Sequence, residues 1–364
     1  MLIIVAPDSF KGTASAPTAA AAIASGVREA LPHAKVITMP FADGGEGTAR
    51  ALADAASARG ANVDTVTLPV TDAVGRLAEA SYFLNRTDNV AYLDVAAASG
   101  LPAVADALDP LHADTFGTGV LIADAEAKGA TSVIMGLGGS ATMDGGTGIL
   151  TALGAAAHDA RGYALPKGGA PLVQLASFDT AQLNLKAAAL DFTLLADTEV
   201  PPGTSVAVYG PQKGAEGQQL ALLTGAMLRL CEVTGTNPDT PHFGAAGCIP
   251  VGLSYISQLL WGDDSHVRTV AGAPFIAQHT RLATALPQAD LIITGEGKVD
   301  AQSTTGKAVG YLAAAGKQAG VPLAVVAGKV EQPLGDYTVE LDQQGHINDQ
   351  LRKAGREIAA QFSA

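Results

Sequence analysis

Short runs of aliphatic and β-branched residues alternate along this chain with longer stretches whose apolar positions recur every three to four residues. Leu2–Ala6 and Lys35–Met39 predict strands. Ala16–Ala30, with Ile23 and Val27 at helical spacing and Ser15 as candidate N-cap, predicts a helix, as does the stretch from Leu52 to Arg59. Strand, loop and helix repeat, which is the mark of a parallel sheet. Near the other end, Leu291–Thr294 and Leu323–Val326 are strands flanking a helix over Lys307–Ala319, and they look like partners of the first two. From Val63 the texture changes. Thr65–Leu68, Ala80–Leu84 and Val90–Leu93 leave no room for crossover helices and so predict antiparallel neighbours. Beyond them come a helix over Thr118–Lys128, strands over Ser132–Met135 and Phe192–Leu195, and long helices over Glu216–Val233 and Ala273–Leu286. In the tail, Ile347, Leu351, Ala354, Ile358 and Phe362 form one apolar stripe suited to packing.

The stretch Gly136–Gly148 interrupts this pattern with six glycines in thirteen residues, after a strand and before a helical run. Such backbone turns through positive φ and presents its N–H groups unobstructed, as phosphate sites require. Strand, loop and helix N-terminus together predict an anion site. Gly136-x-Gly138-x-x-Ala141 matches the dinucleotide fingerprint only on paper, because Gly145, Gly146 and Gly148 would fall inside the helix that motif needs. No Walker A loop is present: Gly297-Lys298, Gly306-Lys307, Gly316-Lys317 and Gly328-Lys329 all lack the following Ser or Thr. Asp-Gly-Gly-x-Gly occurs twice, at Asp43 and at Asp144.

Ligands of open α/β sheets bind beyond the carboxyl ends of strands. The polar residues there are Asp8, Ser9 and Lys11; Asp43 and Glu46; the glycine loop with Asp144; Asp197 and Glu199; and Glu296, Lys298 and Asp300. Carboxylates, two lysines and glycine loops are what phosphoryl transfer from a magnesium nucleotide uses. Asp43 and Asp144 equally suit helix capping. Lys213, in the turn Gly210–Gly214, is a further phosphate candidate, and Gly244–Gly247 suits close helix packing. The seven histidines show no metal spacing, and Ser9 and Ser140 have no evident histidine partner for a hydrolase triad.

Composition narrows the partners. With 364 residues the length prior is about two domains, and 48% hydrophobic residues supply two cores. A net charge of −13 argues against nucleic acid and anionic membranes. Two cysteines make no disulfide framework. The apolar start, Met1–Ala6, is too short for a signal core, and no stretch approaches the ~20 apolar residues of a membrane span. A cytoplasmic protein is the expectation.

Six motifs in register from residue 6 to about 328 resemble the bacterial glycerate kinase family of the type that makes 2-phosphoglycerate. They are Ala6–Gly12, Ala42–Thr48, Ala96–Leu101, Gly138–Thr142, Gly210–Ala215 and Thr294–Gly297. The resemblance implies ATP- and Mg²⁺-dependent phosphorylation of D-glycerate, a small-molecule substrate. It also implies an α/β fold of two domains: a flavodoxin-like parallel-sheet domain built from both chain ends (1–62 plus 270–364) and an inserted mixed-sheet domain (63–269). On this reading Lys11 contacts the transferred phosphate or the carboxylate, and Asp197 or Asp43 orients the hydroxyl as base. Gly138, Gly139, Ser140, Thr142, Gly295 and Glu296 hold the nucleotide, while Asp8, Ser9, Lys298 and Asp300 line the substrate side. The chain departs from the family at Asp197-Thr198-Glu199-Val200-Pro201, where relatives tend to carry Asp-x-x-Asn-Pro, and at Pro250. The competing reading is a non-catalytic two-domain binding protein for a small organic acid.

Overall fold

A computed structural model describes residues 1–10, 12–304, 307–342 and 344–363. Among these residues thirteen strands run in the order β1 (Leu2–Val5), β2 (Lys35–Thr38), β3 (Val63–Thr71), β4 (Leu77–Asn85), β5 (Val90–Asp94), β6 (Ser132–Gly136), β7 (Ala156–His158), β8 (Ser177–Asp179), β9 (Asp191–Ala196), β10 (Val267–Ala271), β11 (Leu291–Val299), β12 (Leu323–Val330) and β13 (Tyr337–Glu340). The helices are α1 (Ala16–Ala30), α2 (Thr48–Ala58), α3 (Ala96–Ser99), α4 (Phe116–Ala127), α5 (Thr147–Ala152), α6 (Leu185–Ala188), α7 (Pro202–Tyr209), α8 (Gln218–Thr234), α9 (Ala245–Trp261), α10 (Gly272–His279), α11 (Leu282–Ala285), α12 (Ala308–Ala319) and α13 (Ile347–Ser363). The chain divides into two compact units, Met1–Asp43 with Ala271–Ala364, and Gly44–Val270.

The first unit holds a five-stranded sheet in the order β13-β12-β11-β1-β2, every pairing parallel. Counting β11 to β13 as third to fifth gives 2-1-3-4-5, the flavodoxin-like order, whose ligand position lies where the winding reverses, between β1 and the third strand. Ile3, Val5, Leu291, Ile293, Ala324 and Val326 bury one face of the sheet against Ile23 and Val27 of α1 and Leu351 and Ile358 of α13. Ser15 caps α1 as its sequence predicts, its hydroxyl accepting from the Thr18 N–H at 3.4 Å. Helices α1 and α13 cross at glycines from both sides. A methyl on Gly26 would fall on the Arg352 carbonyl oxygen, and one on Gly355 on that of Ile23. Gly355→Ala is therefore expected to destabilise this unit by about 3 kcal/mol through forced separation of the helices. Urea unfolding followed by circular dichroism would show it as a lower midpoint, and an unmoved midpoint would show that the crossing can relax.

The second unit carries a six-stranded sheet in the order β10-β9-β6-β5-β4-β3. β3, β4 and β5 pair antiparallel, as their short connections predict, whereas β5, β6 and β9 are parallel. Helix α2, on the N-terminal side of the expected boundary at residue 63, belongs to this compact unit. Its first turn donates to the Asp94 carboxylate at the end of β5.

The helix expected over Ala273–Leu286 is two helices, α10 and α11. Thr280 turns extended (ψ −177°), and its hydroxyl accepts the Leu282 N–H at 3.4 Å, restarting the chain. Helix α9 contains three consecutive left-handed residues, Ala246, Gly247 and Cys248, so regular helix starts beyond them with Pro250 in its opening turn. Among the described residues no helix is long and apolar enough to cross a membrane.

Candidate active site

In the second unit the loops following β5 and β6, the end of β9 and the stretch leading into α2 are stitched side by side through their backbones. Gly138 N donates to Gly44 O (2.8 Å), Leu101 N to Gly139 O (2.8 Å), Ala141 N to Ser99 O (2.9 Å) and Leu137 N to Leu195 O (3.1 Å). Such proximity needs missing side chains: a Cβ on Gly138 would lie 2.6 Å from the Gly45 Cα.

Solvent reaches this loop only at Gly138 and Gly139, because every residue from Ser140 to Leu150 is buried. The anion site expected at the helix N-terminus is filled from within. The Asp144 carboxylate, fully buried, accepts from Thr115 N (2.9 Å), Thr115 Oγ1 (2.8 Å), Gly146 N (3.2 Å) and Gly148 N (3.0 Å). Burial pushes Asp144 up from the ordinary carboxylate value, and these donors pull against that. Gly145, Gly146, Gly148 and Gly247 instead allow close backbone packing. Gly145 N donates to Gly247 O at 2.8 Å, and a Cβ on Gly148 would meet Thr115 N and Phe116 N at 2.5 Å.

Beneath the loop tip lies Lys213, only 2% exposed, its Nζ donating to Ser140 Oγ (2.9 Å) and Thr142 O (2.7 Å). Burial lowers this lysine to about 8, while Cys248 and Asp144 raise it. Ser140 and Thr142, expected to face a nucleotide, are 5% and 0% exposed.

Asp197 follows β9, next to the glycine tip on the adjacent parallel strand, and is half-buried. Its loop is clamped on both sides. Tyr209 OH donates to Thr198 Oγ1 (2.6 Å), His242 Nδ1 lies 2.6 Å from Thr198 O, and Gly244 N donates to Val200 O (2.9 Å). His242 holds the clamp from positive φ, as do Ala246 and Cys248 just beyond it, and each costs a non-glycine residue about 1–2 kcal/mol.

Asp94 ends β5, and its carboxylate accepts from Gly47 N (2.8 Å) and Ala49 N (2.9 Å), tethering the 44–47 loop and capping α2. Burial pushes it up to about 7 from 3.8, against those two donors. The folded unit thus keeps a proton that the unfolded chain loses, so this group makes stability fall as pH rises from about 4 to 7. The stability of the wild type relative to Asp94→Asn is expected to decline over that range and level off above it. Urea unfolding at pH 5 and pH 8 measures this, and a pH-independent difference would mean that Asp94 stays ionised throughout.

In the first unit the expected residues gather at the β1–β11 reversal. Asp8 N donates to Gly295 O (2.8 Å), the Asp8 carboxylate accepts the Ser9 N–H (2.6 Å), and Thr294 Oγ1 donates to Ala6 O (2.9 Å). Asp8, Ser9 and Glu296 are half-buried, while Gly295 is pressed against the Val326 carbonyl. Lys11 lies outside the described residues. Lys298 stands further along β11, bracketed by Asp300 (3.2 Å) and Glu331 (3.0 Å), so its charge is balanced on the protein itself. Asp43 is 8% exposed, and its Oδ2 accepts the Ala308 N–H at 3.3 Å, capping α12.

Parallel strands that end in carboxylates and bare backbone donors give the make-up of a phosphoryl-transfer enzyme. A model of the glycerate kinase family matches residues 3–360. A glycerate kinase of Bacillus subtilis strain 168 is 36% identical over 91% of this chain and 86% of its own length. A glycerate 2-kinase of Escherichia coli K12 is 35% identical over 92% and 87%. A crystal structure described as glycerate kinase 2 from Salmonella typhimurium LT2 superposes with a TM-score of 0.79 at 32% identity, covering 100% of this chain and 98% of that one. The chain belongs to the glycerate kinase family.

Proposed function

We propose that this chain transfers the γ-phosphoryl group of ATP to the 2-hydroxyl of D-glycerate, giving 2-phosphoglycerate. The observation that carries the reading is the near full-length similarity to the E. coli glycerate 2-kinase. The strand-end chemistry of both units supports it. When bound, MgATP supplies the phosphoryl group and the divalent charge on its oxygens. Among the described residues no cluster of three or more His, Cys, Asp or Glu forms a metal cage. Mg²⁺ is ordinarily held by one or two carboxylates together with phosphate oxygens, so Asp197 of the second unit, or Asp8 and Glu296 of the first, suit it as hard donors.

In this reading the Gly138–Gly139 tip offers backbone N–H groups to phosphate oxygens, and Asp197 orients the attacking hydroxyl and takes its proton. Asp8 and Ser9 hold substrate at the β1–β11 reversal, and Lys11 is the cation the sequence offers for the same task. Asp43, whose carboxylate accepts the first N–H of α12, is the alternative base. A coupled assay of ADP release with and without D-glycerate tests the activity, and ADP formed equally without glycerate would sink it. Adding enolase directly to the product tests the position of transfer. 2-Phosphoglycerate is dehydrated at once, whereas 3-phosphoglycerate must first be isomerised, so a product inert to enolase would overturn the 2-hydroxyl assignment.

A further inference from the structure

Lys213 is the one feature of the second unit that packing alone explains badly. A buried ammonium costs several kcal/mol to desolvate unless a carboxylate pairs with it, and among the described residues Lys213 makes no ion pair. Asp144, the nearby acid, has its oxygens engaged by four N–H and O–H donors of its own. Two of the three ammonium protons are used, on Ser140 Oγ and Thr142 O, and both acceptors belong to the loop whose tip is Gly138–Gly139. The Thr142 hydroxyl beside them is fully buried and has no hydrogen-bond partner. The charge therefore has no directly bonded counter-ion inside the unit, Asp144 acting on it only through space, and the loop it grips carries at its tip the two residues that solvent reaches.

We infer that Lys213 is a positioning residue for nucleotide: from beneath the loop it fixes Ser140 and Thr142, and its charge, which no carboxylate bonds directly, is met by phosphate held at the Gly138–Gly139 backbone. The inference rests on the glycerate kinase reading above. A hydroxyl that accepts from an ammonium is polarised into a better donor, so Ser140 extends the same influence towards the tip. Because the cation is buried, salt screens it much less than it would a surface lysine.

The test compares wild type, Lys213→Met and Ser140→Ala. Methionine keeps the length of the side chain and removes the charge. Lys213→Met is expected to bind MgADP about tenfold more weakly by calorimetry and to raise KM for MgATP by the same factor. KM for D-glycerate should stay within about twofold, and the thermal midpoint should hold or rise once the unpaired buried charge is gone. A merely structural lysine would give the opposite pair, a lowered midpoint with unchanged MgADP affinity, and that result overturns the inference. Should Lys213→Met not fold, Ser140→Ala decides. It is expected to weaken MgADP about threefold, and wild-type affinity in that variant overturns the inference as well. A wild-type protein that releases no ADP with D-glycerate marks failure of the glycerate kinase reading itself, which is distinct from active wild type with an indifferent Lys213→Met.

Discussion

Asp197→Asn is expected to lower kcat by about 10²–10⁴-fold, the usual contribution of a positioned proton acceptor. KM for MgATP and for D-glycerate should move little. The loop 197–201 is gripped through Thr198 by Tyr209 and His242, and through Val200 by Gly244, so an isosteric amide should leave the backbone where it is. What changes is charge and basicity at one point. Steady-state kinetics with both substrates varied, beside circular dichroism, checks this. A kcat within threefold of wild type would remove Asp197 from the chemistry and return attention to Asp43. Asp43→Asn is the natural companion: a loss in kcat larger than that of Asp197→Asn would assign the base to the carboxylate that accepts the first N–H of α12.

The second large effect concerns folding. Asp144→Ala removes the acceptor for Thr115 N, Thr115 Oγ1, Gly146 N and Gly148 N, all buried, and leaves those donors facing one another without a partner. Hydrogen bonds to a charged acceptor contribute more than neutral ones, and orphaned buried donors are costly. The expected loss is on the order of 4 kcal/mol from the Gly44–Val270 unit. Denaturant unfolding should show the midpoint of that unit falling while the flavodoxin-like unit holds. Amide exchange at residues 146 and 148 should accelerate first. Unchanged protection there would mean that water enters and replaces the carboxylate.

The strands of both units were legible because their apolar runs are short, β-branched and bounded by turn residues, and the Ser15 cap because a hydroxyl before a helical run has a clear local meaning. The parallel and antiparallel parts of the sheets followed from connection lengths alone. The glycine loop is only half legible. Its composition announces unusual backbone, but composition does not distinguish glycines that face a ligand from glycines that let the chain pack closely: Gly146 and Gly148 admit neighbouring backbone, and Gly145 admits the Leu230 side chain. Thr115, which completes the Asp144 cluster, lies 29 residues away and carries no local signal of that partnership. The rule that selects Asp8, Asp43 and Asp197, carboxylates just after strands, also selects Asp94, so that signal was present. The left-handed turn at Ala246–Cys248 had none, since alanine and cysteine are poor indicators of positive φ. Burial of Lys213 was likewise unreadable from a turn rich in glycine and proline.

The strand order of the flavodoxin-like unit sets a timetable for the nascent chain. β1 sits between β2 and β11, yet the ribosome must deliver all of Gly44–Val270 before β11 exists. Throughout that interval one edge of β1 has no strand to pair with, and α1 has no α13 to cover its apolar face. The intervening unit has every strand of its own sheet in one continuous stretch and can complete itself first. Slowed elongation after residue 270 would prolong the exposure of that bare edge, the kind of surface on which neighbouring copies aggregate.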